Sequence, residues 1–226
     1  MQEIEGQLSS AGDETAGADA QALKDALAQT NAVLREVDHR VKNNLQLIAS
    51  LIQLQHRRAD DEAERHTLQT VLERLNAVTT VHRRLFQGDP LQFEVADFIR
   101  DLTPDLAAAA GRDDITIALN LEAVQIAASS AAPLALVINE LMGNALKHAY
   151  PPGRPGRIAV TLRGDDQACV LTVADAGVGL QDRAPGLGLT IVRLLCQQLH
   201  ATLDVADARP GVRIIVRAPF SRTAAS

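Results

Sequence analysis

Aromatic residues are scarce in this chain, whose 226 residues include no Trp, one Tyr and four Phe. Apolar residues still make up 46% of the sequence, so the core must be built from Leu, Val, Ile and Ala. Such a core suits helical bundles and plain α/β layers. An excess of basic residues is also lacking, because the net charge is −6. Without a basic field to attract phosphates, we expect no nucleic-acid partner.

Long apolar runs and a cysteine framework are missing as well. No apolar run reaches the roughly 18 residues that a membrane span requires, and no signal peptide precedes the chain. Cys169 and Cys196 each stand alone within an apolar stretch, which indicates reduced core thiols. The sequence therefore predicts a cytoplasmic protein without a membrane span.

Two long helices are predicted in residues 21–88, after a flexible, acidic tail in residues 1–20. From Ala20 to about His56 there is neither Gly nor Pro, and a heptad seam runs through Leu23, Leu27, Thr30, Leu34, Val37, Val41, Asn44, Ile48 and Leu51. Asp61 and Glu64 resemble the cap of a second helix that ends near Phe86. Its predicted inner face consists of Leu68, Leu72, Leu75, Val78 and Leu85. We predict an antiparallel hairpin that pairs with a second copy as a four-helix bundle; a monomer is the alternative.

Residues 91–220 predict a different architecture, followed by a second flexible tail in residues 221–226. The pattern indicates a helix over Val95–Ala110 that is interrupted at Thr103-Pro104 by a kink or a fresh start, and a helix from about Ser130 to Ala149. A third helix is predicted over Leu187–His200. Strands are predicted at ITIALNL, Arg157–Arg163, Ala168–Ala174, Thr202–Ala206 and Val212–Ala218. Because this order lacks a regular βαβ rhythm, we predict an α+β chain whose second part is a two-layer α/β sandwich with a mixed sheet.

A polar stripe on the first helix faces away from the heptad seam. With Val37 and Val41 in the seam, His39 falls at the most exposed heptad position. The stripe comprises Glu36, His39, Lys42, Asn43 and Gln46. A solvated helix face is the simplest interpretation. An exposed neutral imidazole is also a competent nucleophile, and Lys42 and Asn43 could hold an incoming phosphoryl group.

A second polar face is predicted within NELMGNALKH. Glu140, Asn144, Lys147 and His148 share one side of that helix, opposite a stripe that includes Leu141 and is expected to be buried. Glu140 and Asn144 offer oxygen ligands to a hard cation such as Mg²⁺. Lys147 offers a positive charge for phosphates. An ordinary solvated face explains this segment equally well by itself.

A third pattern follows the apolar strand that ends at Asp175. Gly177 and Gly179 come next, and Gly186 and Gly188 stand at the start of a predicted helix. Glycine permits close backbone approach to a ligand, and a helix N-terminus can bind an anion. A carboxylate at a strand end can accept a hydrogen bond from an exocyclic amine such as that of adenine. The three ordered patterns together favour a nucleotide site.

With these motifs in place, the chain resembles two-component sensor histidine kinases. HRVKNNLQ is similar to the phosphoacceptor box of one subgroup, and the motifs from Asn139 to Gly188 are similar to the N, G1 and G2 boxes of the Bergerat ATPase fold, which gyrase and heat-shock chaperones share. Departures from the family pattern are Asp38 before the histidine, Ala176 inside the G1 box, a lid of only Gln181–Pro185, and Val212 where a Thr is common.

The resemblance assigns a role to each motif residue. It implies that His39 is phosphorylated, that Asn144 binds Mg²⁺ and that Glu140 contacts the metal or water. Lys147 and His148 would contact phosphates and Asp175 the adenine amine, while Gly177, Gly179, Gly186 and Gly188 would shape the lid. Helical spacing further makes Glu36 a candidate base for His39.

The function so predicted is ATP-dependent autophosphorylation of His39, followed by transfer to an aspartate on the receiver domain of a response regulator. One alternative is a histidine phosphotransfer adaptor that uses no ATP. Another is a Bergerat-fold ATPase or serine kinase whose hairpin is only structural. The adaptor class lacks nucleotide motifs, whereas the ATPase class leaves the stripe around His39 without a role.

Overall fold

The computed structural model describes residues 26, 29–30, 32–33, 36–37, 39–87, 91–165, 167–180 and 187–219. The chain divides into two units, Met1–Ile48 and Ala49–Ser226. All described residues of the first unit are helical, and residues 39–58 form helix α1, which continues into the second unit. The predicted tails and the seam residues Leu23, Leu27 and Leu34 lie outside the described residues. The domain boundary near residues 88–91 stays a prediction.

Helix α2 spans Glu62–Gln87, close to its predicted bounds. The Asp61 carboxylate accepts a hydrogen bond from the Ala63 amide, so the predicted cap is formed at this end. The most buried side of α2 differs from the predicted inner face. It consists of Glu73, Ala77 and Val81, whereas the predicted leucines are only partly buried. Helix α2 packs against α3 and α4, which follow it in the second unit.

The remaining elements alternate irregularly, as the sequence predicts. They are β1 (Gln92–Glu94), α3 (Val95–Ala110), β2 (Ile115–Leu121), β3 (Gln125–Ala127), α4 (Ala128–His148), β4 (Gly156–Gly164), β5 (Ala168–Asp175), α5 (Leu187–Gln198), β6 (Thr202–Asp207) and β7 (Val212–Pro219). Strands β1 and β3 were not predicted, because three residues are too few to show alternation. Helix α3 contains Pro104 without a break in the helix, so the predicted fresh start is wrong.

Five strands form a mixed sheet in the order β2-β4-β5-β7-β6, in which β2 and β4 are parallel and the other pairs antiparallel. Strands β1 and β3 pair separately. One face of the sheet is covered, since alternate residues are buried along β4 (Ile158, Val160, Leu162) and β5 (Cys169, Leu171, Val173). The predicted α+β class with a mixed-sheet sandwich is therefore confirmed.

Helix α4 is the centre of the second unit. It packs against α2, α3 and α5 and also contacts β5. The predicted stripe of Leu134, Val137, Leu141 and Ala145 is buried. Cys169 and Cys196 are buried free thiols, and burial raises the pKa of Cys169 to about 12. Among the described residues, no helix is long and apolar enough to cross a membrane.

Candidate functional site

The polar stripe of α1 is exposed, as its heptad position predicts. His39, Lys42 and Asn43 all lie at the surface of the helix. The Asn43 amide nitrogen lies 3.1 Å from Nδ1 of His39, so the neighbouring turn engages one ring nitrogen. That contact orients the imidazole and distinguishes Nδ1 from Nε2. Asp38 lies outside the described residues.

Glu36 carries an ion pair on the same stripe. Its carboxylate accepts a 2.7 Å hydrogen bond from Nε of Arg40, one helical turn away, and both side chains are exposed. The hydrogen bond and charge of Arg40 hold the pKa of Glu36 below its usual value. Glu36 is therefore ionised at neutral pH, and Arg40 competes with His39 for its carboxylate.

The polar residues of α4 lie within a tightly packed helix. Glu140 is almost fully buried, Asn144 and Lys147 are partly buried, and His148 is exposed. The predicted helical face is present, but it is not a solvated one. A carboxylate at this depth requires a hydrogen-bonded partner of opposite charge.

Helix α2 supplies a partner of opposite charge for Glu140 and another for Lys147. Arg74 donates two hydrogen bonds to Glu140, from Nε to Oε1 at 2.6 Å and from Nη2 to Oε2 at 3.0 Å. The neighbouring Glu73 accepts a 2.8 Å hydrogen bond from Nζ of Lys147. No sequence pattern predicts a site role for Glu73 and Arg74, because pairing over such sequence separations leaves no local pattern. The sequence feature that could indicate them is a pair of adjacent, oppositely charged residues near Ala77 and Val81 of the same helix.

The carboxylate of Asp175 organises the loop that follows β5. Its Oδ1 accepts hydrogen bonds from the amides of Gly177, at 2.8 Å, and Val212, at 3.3 Å. Val212 thus contributes through its backbone amide. These two bonds fix the side chain at the end of the strand and leave Oδ2 as the other acceptor atom of the carboxylate.

The glycine at position 177 is required by close packing on the end of α4. A Cβ there would lie 1.9 Å from the carbonyl oxygen of Ala149, which also accepts a 2.9 Å hydrogen bond from the Val178 amide. The loop after Asp175 is therefore attached directly to the residue that follows His148. This hydrogen bond connects the end of α4 to the loop after Asp175.

Tyr150 is hydrogen-bonded to the same loop. Its hydroxyl accepts a 3.0 Å hydrogen bond from the Ala176 amide and donates a 2.8 Å bond to the carbonyl of Arg157. Any Cβ on Gly156 would lie 2.4 Å from the Tyr150 ring, so glycine is needed where the ring packs. No sequence pattern indicates this role for the chain's one tyrosine.

Gly188, at the start of α5, lies beside the oxygen ligands of α4. A Cβ on Gly188 would lie 2.8 Å from Oε2 of Glu140 and 3.3 Å from Oδ1 of Asn144. The missing side chain leaves space beside these two oxygens. Mg²⁺ in nucleotide sites is commonly held by one or two protein oxygens together with phosphates, so this donor set fits it. Gly179 has φ +77°, whereas Gly186 and the predicted lid lie outside the described residues.

Two families match the chain in succession. The family described as "Histidine kinase" matches residues 36–110, which include His39. The family described as "Histidine kinase-, DNA gyrase B-, and HSP90-like ATPase" matches residues 129–222, which include the predicted motifs from Asn139 to Gly188. The two matches come in the same order along the chain as the two sets of motifs.

Curated relatives and solved structures agree with these matches. The sensor histidine kinase PdtaS of Mycobacterium tuberculosis is 34% identical over 87% of this chain, and the alignment covers 41% of that protein. Blue-light-activated histidine kinase 2 of Erythrobacter litoralis is 24% identical over 88% of this chain and 60% of its own length. The chain thus spans about two fifths of the length of PdtaS.

Among solved structures, the histidine kinase domain of the blue-light-activated kinase EL346 from Erythrobacter litoralis has the same fold. The TM-score is 0.62, with 23% identity, and the match covers 83% of this chain and 90% of that one. The family matches, the curated relatives and this fold agree with one another. The chain belongs to the histidine kinases with a Bergerat-type ATPase region.

Proposed function

We propose that this chain is an ATP-dependent protein-histidine kinase that phosphorylates its own His39 and passes the phosphoryl group to an aspartate of a response-regulator receiver domain. One observation carries the proposal. The chain combines an exposed, oriented imidazole on α1 with the joined constellation of α4 and the Asp175 loop. An adaptor that uses no ATP does not need the polar residues of α4 and the Asp175 loop. An ATPase with a structural hairpin does not need the exposed imidazole on α1.

In this proposal the α4 constellation and the loop bind the nucleotide. Oδ2 of Asp175 accepts from the adenine amine, while the loop amides hold Oδ1 in place. Lys147 and His148 contact phosphates, and Asn144 and Glu140 provide the oxygens for Mg²⁺. The metal supplies charge neutralisation on the phosphates when bound. The protein contributes positioning and electrostatic stabilisation, which account for most catalysis in phosphoryl transfer.

At the acceptor, a nitrogen–phosphorus bond forms as the bond from phosphorus to the ADP oxygen breaks. The attacking nitrogen needs a lone pair, so the imidazole proton must be on the opposite nitrogen. In the structure the Asn43 amide nitrogen faces Nδ1, an arrangement in which Nδ1 accepts the hydrogen bond and the proton lies on Nε2. Rotation of the amide, so that its oxygen faces Nδ1, would move the proton to Nδ1 and free Nε2 to attack. Lys42 would hold the phosphoryl group, and Glu36 would take the imidazole proton as the base.

We further propose that a second copy of the chain covers the apolar side of α1. Val37, Ile48, Leu51 and Leu54 are all exposed there. Heptad spacing across Val37, Ile48 and Leu51 favours a four-helix bundle formed by two hairpins. Sedimentation at micromolar concentration tests this assembly. A dimer mass that reverts to a monomer mass in Leu51→Lys supports it, and a monomer in the unaltered chain contradicts it.

The remaining parts of the proposal concern cellular context. PdtaS is named as a sensor histidine kinase, and the alignment with this chain covers 41% of that protein. Use of ATP and two buried, unpaired thiols favour the cytoplasm. The predicted partners are a receiver domain and a second copy.

Labelling with [γ-³²P]ATP tests the proposed function. We expect a label that is stable to base and lost in acid, because a phosphoramidate hydrolyses in acid. Addition of a receiver domain should then remove the label from the kinase. An acid-stable label would favour the serine-kinase alternative. ATP binding without any label would favour the ATPase alternative, and a chain that is labelled only by a phosphorylated receiver would be the adaptor.

A further inference from the structure

Two adjacent residues of α2 hold the charged residues of the nucleotide site in crossed ion pairs. Arg74 is paired with Glu140, and Glu73 is paired with Lys147. Glu140 and Lys147 are two turns apart on one face of α4, so a single turn of α2 covers both. The match is complementary, because each α4 residue meets an opposite charge.

These pairs differ from the ion pairs at the protein surface. The side chains of Arg74 and Glu140 are 19% and 6% exposed, and those of Lys147 and Glu73 are 24% and 9% exposed. The surface pair of Arg40 with Glu36 instead has values of 76% and 62%. Desolvated pairs are costly to break, because removal of one partner leaves a buried charge uncompensated.

The hydrogen bonds also occupy the atoms that a nucleotide needs. Both oxygens of Glu140 are bonded to Arg74, and that hydrogen bond raises the pKa of the guanidinium. Nζ of Lys147 is bonded to Glu73. A metal ion at Glu140 and a phosphate at Lys147 would have to share or replace both contacts.

We propose that Glu73 and Arg74 form an internal latch that competes with magnesium nucleotide for Lys147 and Glu140. The inference rests on the proposed function, which places these two residues in the nucleotide site. By linkage, any contact that the nucleotide must displace lowers its affinity, and bound nucleotide weakens that contact by the same factor. Nucleotide binding therefore loosens α2 from α4, which couples the ATP site to the second helix of the hairpin.

Calorimetric titration with ATP tests the latch, with and without Mg²⁺. Glu73→Gln and Arg74→Gln should each bind magnesium ATP more tightly, by roughly five- to a hundredfold, which is the usual range for coupled sites. The two gains should respond differently to the metal. Without Mg²⁺ the Arg74→Gln gain should disappear, because Glu140 acts through the metal, whereas the Glu73→Gln gain should persist through Lys147 and the phosphates.

A matched control is available on the same helix. Arg84 forms ion pairs with Asp97 and Asp101 of α3 rather than with α4. Arg84→Gln removes the same charge from α2 and should leave ATP affinity unchanged. Thermal unfolding of each variant checks that it is folded. If Arg74→Gln unfolds because Glu140 is left unpaired, Glu73→Gln still provides the test.

The outcomes separate the latch from the proposed function. If the unaltered chain binds ATP and both variants bind it equally or more weakly, the latch is wrong and the kinase proposal stands. If Arg84→Gln tightens binding as much as the other variants, a general charge effect replaces the latch. If no variant binds ATP at all, the nucleotide site itself is wrong, and the latch falls with it.

Discussion

Helices α1 and α4 both carry a polar face, but α4 is packed in the core and α1 is exposed. Helix α4 has 12 buried residues, whereas residues 39–58 of α1 include no buried side chain. Groups that stabilise a phosphate gain from being fixed in a low-dielectric environment, and α4 provides that environment. A phosphoacceptor must instead be reached by two different partners, the ATP site and a receiver domain. Exposure of α1 is therefore part of its proposed role.

His39→Ala should produce the largest effect, which is complete loss of acid-labile label. The nitrogen nucleophile is removed, while the nucleotide residues of α4 are untouched. Labelling and calorimetry on the same preparation measure the two effects, and His56→Ala serves as the matched control on α1. Label that remains on a histidine of His39→Ala would overturn the assignment of the acceptor.

Matched leucine truncations should sharpen the contrast in packing. Leu141 of α4 is 1% exposed, so Leu141→Ala should lower the free energy of unfolding by about 2–5 kcal/mol. Leu51 of α1 is 56% exposed in the single chain, and Leu51→Ala should change that energy by about 0.5 kcal/mol or less. Urea denaturation at concentrations where the protein is monomeric compares the two. Equal losses would show that α1 is packed within one chain.

Glu36→Gln should slow autophosphorylation about 10²-fold at saturating ATP, the lower end of the usual contribution of a general base. Glu36 lies one helical turn before His39, and Gln cannot take up the proton. Asp38→Asn should have much less effect, because helical spacing predicts a rotation of about 100° between positions 38 and 39. Single-turnover rates measure both variants. An unchanged rate in Glu36→Gln would leave that residue as a surface partner of Arg40 only.

Asp175→Asn should weaken ATP binding by about 1.5–3 kcal/mol, which corresponds to roughly ten- to a hundredfold in Kd. The amide oxygen of Asn can still accept from Gly177 and Val212, so the change acts on the second carboxylate oxygen. Asp165→Asn, before the opposite end of β5, is the control and should not alter Kd. Equal affinities of the unaltered chain for ATP and GTP would contradict the adenine contact.

The sequence predicted those parts of the molecule that depend on local pattern. Heptad spacing indicated the exposed position of His39, and helical period placed Glu140 and Lys147 on one face. It did not reveal that Glu140 is buried, because burial there depends on Arg74, which is 66 residues away. Proline propensity predicted a break at Pro104, but α3 is continuous there, with its apolar side packed in the core. Long-range packing decided both cases.

Tyr150 also gives the protein an intrinsic optical probe. Tryptophan is absent from the 226 residues and Tyr150 is the one tyrosine, so near-ultraviolet emission arises from a single site. Its hydroxyl bonds to the Ala176 amide, next to Asp175. The emission of a phenol depends on the hydrogen bonds of its hydroxyl. A change in the conformation of the loop after Asp175 can therefore be followed by fluorescence in the unlabelled chain, without the background that tryptophan causes in most enzymes.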